Sequence, residues 1–445
     1  MFYNRDKEIE FLKKIKNAPG KRFVVIYGRR RVGKTRLVKE VFKDEAVYFF
    51  VEVKRSETLL GEFSRKIARG VFSNWYDFFT ELFEKARVVI FDEFQNFYKV
   101  DRSILYSLQH AWDEVKSPVK LIVLGSYVGL MKRIFVDEKM PLFGRKDYML
   151  NLRPFSVKDS VYILKTFGYS TREALQIYAM VGGIPQYLFL FKQKKSLKEL
   201  IHNAFTSNFA PLKDEAKNIL ILEFGSEHRS YFSILEAIGA KSLGLSEISD
   251  FTGLEPSKIS KYLEELENEY QIISSDFPLL TGKKRKRYRI NDHYYNFYFH
   301  LIYRLKDLVE YSPEKSAQVL YKNFSSYMGL AFENICHEYI AQNHEIIGFV
   351  PVEVGKSWGK ALGKDESFDI DVVAYDDENV LLGECKWTEK RAGIETFTKL
   401  LERKNYLKIG KRKEKFLIIS KSGFTEDLLS LKHDDLVLLT LEDMF

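Results

Sequence analysis

Cysteine is nearly absent from this chain, with two among 445 residues, Cys336 and Cys385, far apart in sequence. That excludes a disulfide framework and a cysteine-based zinc site, and it points to a reducing compartment. Long apolar runs are also missing, so no segment reads as a membrane span. The opening stretch, MFYNRDKEIEFLKKI, is charged and amphipathic, unlike a secretory signal. No internal repeat or low-complexity linker interrupts the chain. Neither sign of charge dominates: 70 Lys+Arg against 62 Asp+Glu leave a net +8, which permits a nucleic-acid partner without requiring one. The expectation is a cytoplasmic protein with no membrane partner.

What is present is aromatic. There are 36 Phe and 26 Tyr, and 45% of residues are hydrophobic, enough to bury sizeable cores. The length calls for about two to four domains. Residues 22–150 alternate apolar runs with amphipathic stretches, and strands are expected at 22–28, 46–53, 87–93 and 120–126. Nearly continuous apolar runs are the mark of parallel strands buried on both faces, and their alternation with helices predicts a doubly wound α/β sheet.

Residues 156–228 read as helical, broken at Gly182-Gly183-Ile184-Pro185. Short helices follow near 230–239, 245–251 and 256–269, then an extended basic segment at 281–290 and an aromatic helical stretch at 292–309. A helix near 325–343 opens the last region. Strands at 368–375 and 379–387 face each other across Asp376-Asp377-Glu378, followed by a helix near 394–407 and a strand at 415–420. The expected organisation is a nucleotide-binding core over 1–155, a helical lid over 156–228, a winged helix over 229–310 and a further α/β domain over 311–445.

The sequence Gly28-Arg29-Arg30-Arg31-Val32-Gly33-Lys34-Thr35, with Arg36 next, lies between an expected strand and an expected helix, the context a P-loop requires. Its glycines let main-chain N–H groups wrap phosphates at a helix N-terminus. Lys34 neutralises phosphate charge and the Thr35 hydroxyl holds Mg²⁺. The run Val88-Val89-Ile90-Phe91-Asp92-Glu93 supplies the other half: Asp92 for the Mg²⁺ shell and Glu93 as general base for the attacking water. Ser126, ending the next strand, is either a sensor of the γ-phosphate or an ordinary turn serine. Arg145 is either an arginine finger on a neighbouring subunit's nucleotide, which implies a homo-oligomer, or a surface arginine paired with an acid.

With FYNRDKEIEFL, GRRRVGKT, FDEFQ, LGS, PLFGR and GGIP together, residues 1–225 resemble an archaeal ATPase family in the STAND-like branch of the AAA-related P-loop proteins. The resemblance implies ATP with Mg²⁺, a first helix near the adenine with Phe2 and Arg5 as base-pocket candidates, and GGIP in the lid. A guanine-reading Asn/Thr-Lys-x-Asp element is not evident.

The segment from Tyr231 to Ile273 has the grammar of a winged helix. In a DNA-binding version Ser257, Lys258, Ser260 and Lys261 face the major groove, while Lys283, Lys284, Arg285, Lys286 and Arg287 form a basic wing against phosphates. Passive packing between domains is the alternative.

Near the carboxyl end, Asp371 lies on one expected strand and Glu384-Cys385-Lys386 on the next. Period-two alternation puts Glu384 and Lys386 on one strand face, and a hairpin register brings Asp371 beside them. Two carboxylates and a lysine so placed can hold Mg²⁺ or Mn²⁺ and activate water against a phosphodiester, with Glu333 completing the shell. The arrangement resembles the PD-(D/E)-x-K restriction-endonuclease-like fold over residues 325–445, with Ile370 in place of the motif's proline and Asp369 as a rival ligand. The joint expectation is an ATPase coupled to DNA binding and cleavage. Its rival is a nucleotide-dependent signalling or assembly switch whose later domains bind partners without cutting.

Overall fold

The computed structural model describes residues 3–282, 285–360, 367–431 and 433–445. The chain forms two compact units. The first is Met1–Pro154 with Ile184–Gln186 and Asn268–Tyr270; the second is Phe155–Gly183, Tyr187–Glu267 and Gln271–Phe445. The expected breaks at 228/229 and 310/311 both fall inside the second unit.

The first unit is built on a sheet of five parallel strands: β1 (Arg22–Tyr27), β2 (Ala46–Phe50), β3 (Val88–Asp92), β4 (Lys120–Gly125) and β5 (Tyr148–Asn151). Their order is β2-β3-β4-β1-β5. Every residue of β3 and β4 is buried, because both faces are covered. Phe23, Val25, Phe49, Val89 and Phe91 enter the core on one face; Val24, Ile26, Val88, Ile90 and Ile122 enter the other. The first core absorbs much of the aromatic excess, with Phe49 stacked on Phe91 at 5.1 Å between ring centres. Strand β5, half-exposed and four residues long, falls outside the four expected strands. The strand order has a functional consequence. Strand β4 lies between β1 and β3, so the segments after Tyr27, Gly125 and Asp92 emerge together along one sheet edge.

The second unit begins with helices Val157–Thr166 and Thr171–Val181, each opened by a serine capping box. Beyond the helix Glu215–Phe224 come His228–Ala240, Leu245–Thr252 and Pro256–Glu264. An antiparallel hairpin of β6 (Ile273–Asp276) and β7 (Arg287–Ile290) completes the winged-helix pattern, with Leu243 bridging Tyr288. Pro313, at the first helical turn where its missing N–H costs nothing, starts a thirty-residue helix to Gln342, well before the expected start near 325.

The second sheet contains β8 (Glu353–Lys360), β9 (Ser367–Tyr375), β10 (Asn379–Lys386), β11 (Lys413–Ser420) and β12 (Leu436–Thr440), ordered β12-β11-β10-β9-β8. Strands β8 to β10 pair antiparallel and β10 to β12 pair parallel, with the crossover helix Ile394–Lys404 between β10 and β11 and the short helix Glu426–Leu429 between β11 and β12. Strands β8 and β12 were not expected; the glycines and lysines of GKSWGK hide an edge strand. Gly355 faces Val373 while Ser357 faces Ile370, so β9 carries one extra residue at Asp371-Val372. Such a bulge re-aims a side chain, and here the residue is Asp371.

Candidate functional site

At the first site the chain leaves β1 through Gly28, whose φ is +153°; an added Cβ would meet the Leu152 carbonyl oxygen at 2.3 Å. Only glycine fits so close to another backbone. Gly33, with φ +96°, turns the loop into the helix Lys34–Phe42, leaving free N–H groups of the first turn beside the loop. Lys34 is 6% exposed, and its Nζ donates to the carbonyls of Gly28 at 2.7 Å and Arg29 at 2.9 Å. Val32 is buried in the core beneath, Arg29, Arg30 and Arg31 are partly exposed, and Arg36 is exposed.

The Thr35 hydroxyl donates to Asp92 Oδ2 at 2.5 Å, and the Tyr48 hydroxyl donates to the same oxygen at 2.8 Å. Burial, reinforced by the hydrogen bond to Asp92, holds the Tyr48 phenol well above its usual range, so it stays a donor. Asp92 Oδ1 accepts the Glu93 N–H at 2.9 Å. A hydroxyl and a carboxylate so close are the oxygen donors that Mg²⁺ takes, and they fit that ion.

Glu93 sits at φ +56°, a costly conformation for a residue with a side chain, of the kind found at active sites. Its Oε2 accepts from the Ser126 hydroxyl at 2.6 Å and from the Gln95 amide. Ser126 therefore joins the site through Glu93. Gln95 and Tyr48 went unrecognised in the sequence, although Gln95 lies within the FDEFQ run. The Arg145 guanidinium pairs with Asp113, Nε at 3.1 Å from Oδ1 and Nη2 at 3.0 Å from Oδ2. Arg5 ties the first helix down through the Arg153 carbonyl at 2.6 Å and Glu8 at 3.1 Å. Phe2, Lys283 and Lys284 lie outside the described residues.

The parallel sheet, the glycine loop on a helix N-terminus and the paired Thr35–Asp92 and Glu93–Ser126 side chains define a P-loop nucleoside triphosphatase. Residues 2–191 match the family described as an ATPase domain predominantly from Archaea, a likeness that supports a nucleotide-dependent ATPase. Residues 298–399 match a family described as archaea bacterial proteins of unknown function. An uncharacterized protein of Methanocaldococcus jannaschii is 28% identical over 456 positions, covering 100% of both chains. Among solved structures, a Walker-type ATPase of Pyrococcus abyssi is 20% identical, covering 67% of this chain and 96% of its own with a TM-score of 0.48. The ORC2 protein of Aeropyrum pernix is 17% identical, covering 72% and 96%, with a TM-score of 0.47. No helix among the described residues is long and apolar enough to cross a membrane.

In the second unit β10 runs beside the bulge of β9, and the Cys385 N–H donates to Asp371 Oδ2 at 2.9 Å. Lys386 Nζ donates to Glu384 Oε2 at 2.6 Å, and Arg403 of the crossover helix takes Oε1. On the long helix, Glu333 pairs with Lys356 of β8, and His337 Nε2 meets the Asp371 carbonyl at 2.6 Å. Burial, with Asp371 and Asp369 nearby, pushes Glu333 up to about 7 despite Lys356. Burial and then Asp371 raise Glu384; burial likewise raises Asp369. Burial works against the Lys386 charge, but Glu384 and Asp371 hold it above the usual lysine range. The structure thus brings Asp371, Glu384 and Lys386 into one neighbourhood, with Glu333 coupled to it through Asp371. Each acid is already engaged, however, and among the described residues no three His, Cys, Asp or Glu side chains form a group that could hold a metal. Glu333 and Glu384, two of the residues named for a second Mg²⁺ or Mn²⁺, are thus held by Lys356, Lys386 and Arg403. Lys356 and Arg403 escaped sequence reading because each reaches its acid from another element.

The DNA-reading candidates divide. Ser257, Lys258, Ser260 and Lys261 are exposed on the helix Pro256–Glu264, while its other face buries Ile259 and Leu263. Lys286 pairs with Glu267 of the helical turn that precedes the hairpin, at 3.3 Å. Arg285 and Arg287 face a cleft against the second sheet.

Proposed function

We propose that ATP hydrolysis in the first unit controls engagement of DNA by the second, with phosphodiester cleavage at Asp371, Glu384 and Lys386 as its output. In the ATPase step Glu93, held by Ser126 and Gln95, takes the proton of the attacking water, and Lys34 offsets charge on the phosphates. Bound at Thr35 and Asp92, Mg²⁺ would supply Lewis-acid stabilisation of the phosphoryl oxygens. The observation that carries the second half is the meeting of Asp371 and the Glu384–Lys386 pair at the β9 bulge, on a mixed sheet of restriction-endonuclease-like character. The exposed Ser257, Lys258 and Lys261 supply a face for the duplex.

The test is nicking of supercoiled plasmid with Mg²⁺ or Mn²⁺ by wild type beside Asp371→Ala and Lys386→Ala. Activity present in wild type and lost in both variants is expected. Equal activity in the variants assigns the cutting elsewhere, and no cutting at all removes the nuclease. ATPase rate should also respond to DNA, and binding should weaken steeply with salt.

A specific observation favours a second reading, the signalling or assembly switch. Glu333 and Glu384 are neutralised by Lys356, Lys386 and Arg403, and no metal group forms. In that case no divalent cation supports cutting, and ATP changes the oligomeric state measured by light scattering.

A further inference from the structure

The hairpin of the winged helix is built into the second sheet rather than left free. The Leu279 N–H donates to the Lys356 carbonyl at 3.0 Å, and the Ser357 hydroxyl donates to the Leu279 carbonyl at 2.7 Å. The Lys408 N–H donates to the Leu280 carbonyl at 2.6 Å. Leu279 itself is 7% exposed and belongs to the core of Ile370, Leu382 and Phe397. The hairpin thus covers the outer strand β8, and Arg285 and Arg287 are aimed by that docking.

They are aimed into a cleft of about 990 Å³. Lys241, Arg285 and Arg287 stand on one side, Trp358 and Lys360 of β8 on the other, with Glu333 and Asp369 also lining it. The acids in the lining are met internally: Asp276 by Arg289 at 2.6 Å, Glu333 by Lys356, and Asp369 by the charges of Lys356, Arg403 and Arg287. Among the described residues Lys241 and Arg285 have no ion-pair partner. The cleft therefore keeps a surplus of positive charge. Across it, the Arg287 guanidinium lies 5.6 Å from the centre of the half-buried Trp358 ring. A planar cation beside an indole is a platform on which a base can stack, and the remaining cations suit a phosphate backbone.

We propose that this cleft binds single-stranded nucleic acid, with Arg285 and Lys241 on the phosphates and one base against Trp358 and Arg287. The chemistry fits an unpaired strand: a base inside a duplex is already stacked on its neighbours, and a concave cleft receives a strand instead of entering a groove. The inference rests on the DNA reading above and sharpens it. The strand would pass over Glu333 and Asp369 toward Asp371.

The experiment is fluorescence anisotropy of the full chain with a labelled strand of about twelve nucleotides, DNA or RNA, against the matching duplex. Single strands should bind more tightly than duplex. Trp358→Ala should weaken the single strand by about tenfold while Trp358→Phe restores most of it. The double variant Arg285→Ala/Arg287→Ala should weaken it and flatten its salt dependence by about one to two released counterions. Unchanged binding in these variants, with loss in Lys258→Ala/Lys261→Ala, would overturn the cleft while leaving DNA binding in place. Displacement by inorganic phosphate at the same concentration as by oligonucleotide phosphate would reduce the cleft to a small-anion site and also overturn it. No binding of any nucleic acid by wild type would overturn both this inference and the DNA reading.

Discussion

Tyr178, near the end of a lid helix, donates a hydrogen bond of 2.6 Å to Glu338 on the long helix. His293 meets the other carboxylate oxygen at 2.8 Å and lies against Gly182 of the GGIP segment, so one carboxylate joins three elements of the second unit. The next residue on the long helix, His337, touches the Asp371 carbonyl. Glu338→Ala leaves two donors without an acceptor and should cost about 1–3 kcal/mol, less what water recovers at this partly exposed group. Tyr178→Phe should cost less. Calorimetric melting decides it, and an unchanged melting temperature in Glu338→Ala would show that the junction holds nothing together.

The ATPase site separates binding from chemistry. Glu93→Gln keeps the hydrogen-bonding shape beside Ser126 and removes the base, so turnover should fall by about 10²–10⁴-fold with nucleotide affinity retained. Lys34→Ala removes the charge on the phosphates and the bonds to the Gly28 and Arg29 carbonyls. It should lose affinity as well as turnover. Phosphate release beside a fluorescent-nucleotide titration distinguishes the two; equal affinity loss in both variants would contradict the assignment of Glu93.

Gly28→Ala is expected to be destabilising wherever nucleotide is absent. The methyl would sit 2.3 Å from the Leu152 carbonyl oxygen, which belongs to the backbone and has little room to move. A cost of about 2 kcal/mol or more follows from overpacking and strain together. Urea denaturation of the nucleotide-free protein measures it, and a change under about 0.5 kcal/mol would mean that the loop relaxes freely.

Two buried groups give stability a pH dependence of opposite sign. Burial pushes His337 down to about 4 from 6.5, against the pull of the Asp371 carbonyl. Between those values the unfolded chain takes up a proton that the folded chain refuses, so stability falls as pH falls, by about 3 kcal/mol across the window. Glu333, pushed up from 4.5 to about 7, stays protonated when folded where it would ionise unfolded, so stability falls as pH rises through that range. Over the shared range of about pH 4.5–6.5 the two slopes nearly offset, so His337→Gln should leave stability falling as pH rises, and Glu333→Gln should leave it falling as pH falls. Denaturation midpoints at pH 5, 6 and 7 (about one-unit steps) check both, and unaltered slopes would rule out these groups as the source.

The P-loop and its Asp92-Glu93 partner were legible because their chemistry is local. Glycine spacing before a lysine and threonine, and an apolar run ending in two acids, dictate a turn and a buried strand wherever they stand. Strands β1, β3 and β4 were legible for the same reason, since burial on both faces demands continuous apolar residues, and the half-exposed edge strand β2 still carries the run Val47-Tyr48-Phe49-Phe50. Three other edge strands were not: β5, β8 and β12 are half-exposed and lack a strong period. Asp371, Glu384 and Lys386 could be named as a group from a period of two, but their partners could not. Arg403, Lys356 and the bulge at Asp371 come from other elements, brought in by sheet order and helix crossover.

The basic hairpin is the sharpest case. Its composition established only that positive charge would gather near residue 285. Whether that charge meets solvent, a duplex or the protein's own second sheet depends on where Leu279 is buried. A side chain's neighbours along the chain settle its conformation and charge, whereas the field it experiences is set by atoms tens or hundreds of residues away. Only the folded chain, by seating Leu279 in the core beside Ile370, made Arg285 and Arg287 part of one wall of a cleft.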